Sequence, residues 1–415
     1  MLYTLKGGYV YTDKEIKQVN VIIENNKIVE ISDSVRGQII DVTGLYVAPS
    51  FIDPHVHMRE PGFTDSETIK TGSHAAARGG YTKVFLMPNT NPVISSIEAY
   101  NNLLDIIKKD SIIDCLPLVA ITKDEQGKEL VNFEQFDTIG FSDDGKPVSN
   151  SYLMYQAMLK LKALNKPVLC HCEDLDLVHK GTFNNSHIQE NSDALPNLDI
   201  SETTNVARDL VIAAKTGCHY HICHLATKES LDLVKFYKSI GCNVTCEVTP
   251  HHVVLNDQMI EITPNYKMNP PIRGIKDQNA VIEGIIDGSV DMISTDHAPH
   301  SFEKKNKDIN QAAFGIVGLE TSFPLLYTKL VKTGLITLEK LLDLMSYNVA
   351  EKFNLANHEI KVGNNASIVV LDLNNEFVID RTKFASKSNN TPFDGWKCYG
   401  KVVKTIHKGE IVYEG

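Results

Sequence analysis

Four histidines, His55, His57, His171 and His224, and two aspartates, one of the pair Asp143-Asp144 and the other Asp296, stand where they could bind metal. The first two lie in Phe51-Ile52-Asp53-Pro54-His55-Val56-His57-Met58-Arg59-Glu60, which Pro61 closes. Residues two apart on a strand share a face, so Asp53, His55, His57 and Arg59 point one way and Ile52, Val56 and Met58 the other. Two imidazoles side by side on a strand can hold one metal ion. A helix fits poorly, because Pro54 interrupts the run. With fifteen histidines in 415 residues a close pair arises by chance, so the weight rests on the ligand types that close later strand-like runs. These are Asp143-Asp144-Gly145, His171-Cys172-Glu173, Cys223-His224 and Asp296-His297-Ala298-Pro299-His300, with Asn89 after Met87-Pro88.

Imidazoles with carboxylates suit zinc, and manganese, cobalt or iron are compatible. Two ions about 3.5–4 Å apart that share a carboxylate can activate water while polarising a carbonyl, which is hydrolytic chemistry. Each residue has a plainer reading. His171 alone could be a hydrogen-bonded core residue, and Asp143 or Asp144 could shape the turn before Gly145. Asn89 and Asn269 could be turn residues, Arg59 an ion-pair partner of Glu60, and Asp296 a helix cap. Coincidence explains six such residues at strand ends far less well than it explains any one. Asp53 is expected to orient an imidazole from behind, and His251 and His252 to be structural or to support the ligands from outside.

Apolar strands alternating with longer helical patterns must position these groups, from residue 51 to about 300. Candidate strands after the first are Tyr81 to Met87, Ile112 to Ile121, Thr138 to Ser142, Pro167 to Cys172, His219 to Cys223, Asn243 to Val248 and Val290 to Thr295. The helix after the first strand is expected to begin at Asp65-Ser66-Glu67-Thr68 and to stop at Gly79-Gly80. Others are expected over Ser149 to Leu164, Glu202 to Lys215, Thr227 to Ser239 and Asp277 to Ile286. The fold class is therefore α/β, a (β/α)8 barrel over residues 51–359 with its site at the carboxyl ends of the strands. Short alternating strands at 1–50 and 360–415 are expected to form one small discontinuous β-sandwich. The polar stretch Ser301 to Gln311 is long enough to be functional.

A formal charge of −11 argues against a nucleic-acid surface. The chain has no basic leader followed by an apolar core and no long apolar run, so a cytoplasmic protein without membrane contact is expected. The eight cysteines, several inside apolar runs, suit buried thiols.

Taken together, Asp53-Pro54-His55-Val56-His57-Met58-Arg59-Glu60-Pro61-Gly62, Met87-Pro88-Asn89-Thr90, Asp143-Asp144-Gly145, His171-Cys172-Glu173, Lys267-Met268-Asn269-Pro270-Pro271, Asp296-His297-Ala298-Pro299-His300 and Phe314-Gly315-Ile316-Val317-Gly318-Leu319-Glu320 resemble the dihydroorotases of the amidohydrolase superfamily. Asn390-Thr391-Pro392-Phe393-Asp394-Gly395 also looks like that family's C-terminal segment. The resemblance covers nearly the whole chain. It implies two zinc ions and the reversible interconversion of N-carbamoyl-L-aspartate and L-dihydroorotate in pyrimidine biosynthesis. It further implies that His55, His57 and Asp296 hold one ion and His171 and His224 the other. Asp144 stands at the bridging position that a carboxylated lysine fills in many amidohydrolases, with Lys146 nearby. Asp296 would be the general acid/base. Arg59, Asn89 and His300 would bind the substrate carboxylate, and Asn269 with the Phe314-Gly315 backbone the ring amides. Ala313 departs from the proline expected before Phe314.

The rival readings are an allantoinase or hydantoinase, against which Arg59 favours a substrate carrying a carboxylate, and a metal-free scaffold subunit. The scaffold would be expected to lack ligands, and none is missing. A homodimer and an association with aspartate transcarbamoylase are both compatible with the sequence.

Overall fold

The computed structural model describes residues 1–188, 192–355 and 358–415. Through the middle of the chain, short parallel strands alternate with helices. Phe51–Val56 pairs with Tyr81–Leu86, which pairs with Asp114–Pro117. Val168–Cys170, Tyr220–Ile222, Val244–Val248 and Met292–Ile293 form a second parallel sheet. Parallel bridges join Val119 to Phe141, Phe141 to Val168, and His297 to Val56.

One expectation is corrected here and one is narrowed. Thr138 to Ser142 forms only these bridges at Phe141 and no named strand. Its backbone still pairs on both sides, Ser142 N–H to the Val119 carbonyl and Phe141 N–H to the Pro167 carbonyl, but the run is short: the Thr138 hydroxyl holds the Pro117 carbonyl at its start. The first helix runs over Ile69–Arg78, with Thr68 and Thr71 making a reciprocal cap. Asp65 instead pairs with Lys304, and Glu67 accepts from Ser386 and the Lys387 N–H.

The remaining helices follow their caps. Asn150 caps Ser151–Ala163, Thr227 caps Lys228–Ser239, and left-handed Gly217 and Gly288 end Ile200–Thr216 and Ile275–Asp287. Each buries an apolar stripe, such as Val206, Leu210 and Ala213. Full burial of a side chain like Leu210 contributes about 1.5–3 kcal/mol, so packing against the strands outweighs helix propensity in fixing these elements.

The chain ends share one sheet, ordered Glu410–Glu414, Lys401–His407, Ile368–Asp372, Tyr46–Pro49, Tyr9–Thr12, Glu15–Gln18. Facing it, Leu2–Lys6 pairs with Asn20–Glu24 and Gln38–Asp41. Tyr3, Leu5, Val21, Val47, Ile368 and Ile406 are among the buried residues packed together here. Only Ser50 separates Tyr46–Pro49 from the histidine-bearing strand. Its N–H donates to Ser367 and its carbonyl accepts from His358, so the shared sheet anchors the root of the site. Among the described residues no helix is long and apolar enough to cross a membrane.

Candidate metal centre and substrate site

Every residue of Phe51–Val56 is buried, and the strand delivers His55 and His57 into the interior. Their ring centroids lie 5.3 Å apart, with His224 5.0 Å from His55 and His171 4.7 Å from His224. Both aspartates reach this cluster. Asp144 oxygens lie 3.5 Å from His55 Nε2 and from His57 Nε2. Asp296 Oδ1 is 3.2 Å from His57 Nε2 and 3.6 Å from His55 Nε2. His171 Nδ1 faces His224 Nε2 at 2.9 Å. All six expected ligands therefore converge.

The backbone bends to achieve this. Arg59, His224 and Asp296 adopt φ of 57°, 35° and 47°, a region that costs a non-glycine residue energy and is tolerated where the surroundings enforce it. Arg59 therefore does not continue the strand, which ends at Val56.

Three buried polar atoms of the cluster, His55 Nε2, Asp144 Oδ1 and His224 Nδ1, have no hydrogen-bond partner. Orphaned buried groups of this kind are costly. These three residues can present ligand atoms within 4.8 Å of one another, and so can His55, His57 and Asp296. The donor set fits divalent cations. The electrostatics agree: burial alone would lower the His55 pKa, but Asp144, Glu247 and Asp296 overcome it and hold the ring up to about 10. Burial opposes ionisation of Asp144, yet His55, His57 and His171 keep it below the usual carboxylate range. Such a nest of carboxylates around one imidazole favours positive charge.

Lys146 turns away, with Nζ 3.8 Å from Glu125 and 60% of its side chain exposed. Asp143 is engaged with Ile121 and Thr122. Asp144 is thus the residue of this turn that meets the histidines.

Beside the cluster, Arg59 Nε donates to the Pro299 carbonyl. Burial pushes the Arg59 pKa down only to about 10, so it stays charged at neutral pH. His300 Nε2 is 2.6 Å from the Phe314 carbonyl, to which it must donate. Its 3.2 Å approach to Arg59 Nη2 is therefore donor against donor, tolerable because burial, Arg59 and Lys305 hold His300 neutral, with its pKa down to about 2. Asn269 Nδ2 donates towards His171 Nε2 at 3.2 Å. Asn89 accepts from His57 Nδ1 and donates to Asp144 Oδ2, at 3.0 and 2.9 Å. Gly315 has φ 116°, and a Cβ there would sit 2.4 Å from the Ala298 Cβ, so the close approach of this loop requires glycine.

Some expectations shift. Asp53 touches no imidazole; it accepts the N–H of His55 and the N–H and hydroxyl of Thr295, stitching two strand ends together. The carboxylate against the His55 ring is Glu247, 3.2 Å from Nδ1. It lies inside Val244–Val248, where only its charge in an apolar run signals it. His252 is structural as expected, 2.7 Å from Thr249 Oγ1 and 3.1 Å from the Pro270 carbonyl. Lys305, unremarkable in sequence, is buried and donates to the carbonyls of Lys267, Ala313 and Gly315. It ties the polar stretch Ser301 to Gln311 to the Gly315 loop. Arg59 forms no pair with Glu60, whose carboxylate accepts the Ile69 N–H.

Comparison with known proteins shows the family. A family model described as "Dihydro-orotase-like" matches residues 44–230. A dihydroorotase of Listeria innocua is 46% identical over 420 residues, 99% of each chain. The chain belongs to the dihydroorotase family. A Fusobacterium nucleatum dihydroorotase is 45% identical, over 99% of this chain and 98% of its own. Among solved structures, an L-hydantoinase (dihydropyrimidinase) from Arthrobacter aurescens superposes with TM-score 0.90 at 23% identity, covering 100% of this chain and 96% of that one. A dihydropyrimidinase from Brevibacillus agri gives 0.88 at 23% identity, covering 100% and 95%. The likeness to the hydantoinases is one of fold. The expected family and the hydrolase class are borne out.

Proposed function

We propose that the family's reaction, the reversible conversion of N-carbamoyl-L-aspartate into L-dihydroorotate and water in pyrimidine biosynthesis, runs at the Asp296 edge of the histidine cluster. The observation that carries this reading is the convergence of six ligand-type residues, with unpartnered buried atoms, beside a charged arginine. His55, His57 and Asp296 would hold one zinc ion, His171 and His224 the other, and Asp144 would bridge them. When bound, such ions supply Lewis acidity and a low-pKa water.

The protein's own groups do the rest. In ring opening, water oxygen adds to the ring amide carbonyl, Asp296 takes its proton, the C–N bond breaks, and Asp296 returns the proton to the leaving nitrogen. The carbonyl becomes the β-carboxylate of carbamoyl aspartate. Arg59, Asn89 and His300 line the carboxylate end, and Asn269 with the Phe314-Gly315 backbone lines the ring amides. The reading includes a closed, distorted (β/α)8 barrel over 51–359, supported by the bridges at Val119, Phe141 and His297. It also includes a β-sandwich of 1–50 and 360–415.

Turnover of dihydroorotate, hydantoin and allantoin on one preparation tests the substrate. Dihydroorotate should be strongly preferred; activity confined to the other two would contradict the proposal. Arg59→Lys should raise KM for dihydroorotate by about tenfold or more with metal content unchanged. Lysine lacks both the fork and the Nε tether to Pro299, and hydrogen bonds to charged groups are worth about 1.5–3 kcal/mol. An unchanged KM would place the substrate carboxylate elsewhere.

A further inference from the structure

The strand Val244–Val248 carries none of the proposed ligands, yet its Glu247 touches both halves of the cluster. Oε1 lies 3.2 Å from His55 Nδ1 and accepts the backbone N–H of His224 at 3.3 Å. Oε2 lies 3.1 Å from His221 Nε2. His221 Nδ1 is 2.7 Å from Thr245 Oγ1, which is 2.8 Å from His219 Nε2. Glu247, His55 and His221 are wholly buried.

These contacts fix where the protons sit. An ionised carboxylate only accepts, so His55 must carry its proton on Nδ1 and His221 on Nε2. His221 Nδ1 then accepts from the Thr245 hydroxyl, which accepts in turn from His219. The chain has one direction throughout. It leaves His55 Nε2 as the nitrogen aimed at Asp144 and Asp296, the atom without a hydrogen-bond partner. The same carboxylate holds the backbone N–H of His224, whose left-handed φ of 35° needs restraint.

We propose that Glu247 is the positioning residue shared by the two metal positions: it sets the tautomer of His55 and the backbone pose of His224, and so the affinity of both ions. The inference rests on the two-ion reading above. Outer carboxylates on metal-binding histidines typically govern affinity by about 10- to 100-fold.

The test compares full-length wild type, Glu247→Gln and Glu247→Asp by zinc binding in competition with a chromogenic chelator, alongside melting of the metal-stripped proteins. Glutamine offers one acceptor oxygen to two imidazole donors, so both zinc affinities should fall by about 10- to 100-fold. The stripped variant should melt near stripped wild type, and excess zinc should restore turnover. Glu247→Asp keeps the charge but is one methylene shorter; it should also lose affinity, and it serves in place of the glutamine variant should that one fail to fold. Affinities within about threefold of wild type in the folded variants would overturn the assignment, since the expected loss is at least tenfold. A thiolate charge-transfer band in the cobalt-loaded protein, absent from Cys223→Ser, would also overturn it, because His55, Cys223 and Glu247 can themselves surround an ion. Wild type that takes up no zinc would instead contradict the two-ion reading itself.

Discussion

Asp296→Asn should lower turnover in both directions by at least a hundredfold, and by up to about 10⁴-fold, the range for losing a positioned acid/base, while a good part of the metal stays bound. Asparagine keeps the shape of the side chain and tolerates the left-handed backbone at φ 47°. Its amide oxygen can still face His57 and His55. What it loses is the capacity to take a proton from water and return it to nitrogen. Alanine would be a poorer choice, since it would disturb backbone and ligand set together. Activity within tenfold of wild type would remove Asp296 from the proton-transfer step, for which about 10²-fold is the lower expectation. A companion measurement uses the proton count: opening dihydroorotate yields a dianion and a released proton. With Asp296 as base one way and acid the other, kcat/KM for opening should rise with pH to a plateau while that for closure falls over an overlapping interval. Metal-saturated enzyme keeps acid loss of metal out of both profiles. Two profiles rising together would contradict the paired role.

Asp144→Ala should remove at least one of the two proposed ions and reduce kcat/KM by more than about a hundredfold, beyond what outer contacts to a metal centre usually govern. Its oxygens reach both His55 and His57, and Asn89 holds it in place. Lys146→Ala is the control. That ammonium points towards Glu125 and is largely exposed, so turnover and metal content should remain close to wild type. If Lys146→Ala lost metal while Asp144→Ala kept it, a modified lysine would be the bridge.

Much of this site could be read from the chain because strand period and chemistry coincide. His55 and His57 share a face by alternation, and His171, His224 and Asp296 each follow an apolar run, as does the pair Asp143-Asp144, of which the family resemblance singles out Asp144. The terminal strands were likewise readable as alternating segments, and they pair through Tyr46–Pro49 and Ile368–Asp372. Three features were not legible, each for a physical reason. Thr138 to Ser142 has strand-like composition and does bond to Val119 and Pro167, but the pairing is confined to the residues around Phe141, a length set by its two neighbours rather than by its own sequence. Asp53 alternates with the histidines, yet Thr295, distant in sequence, claims its carboxylate. Glu247 and Lys305 act through partners set by tertiary folding, His55 and His224 for one and Gly315 for the other. No local pattern announces such pairings.

The most direct test of the account is the metal content of protein prepared without chelator, measured on the sample whose opening of dihydroorotate is followed. The account predicts about two ions per chain, as expected for a carboxylate-bridged pair, and activity that disappears on metal removal and returns on metal addition. Full dihydroorotate turnover with less than about half an ion per chain, against the two that a paired site requires, would contradict it.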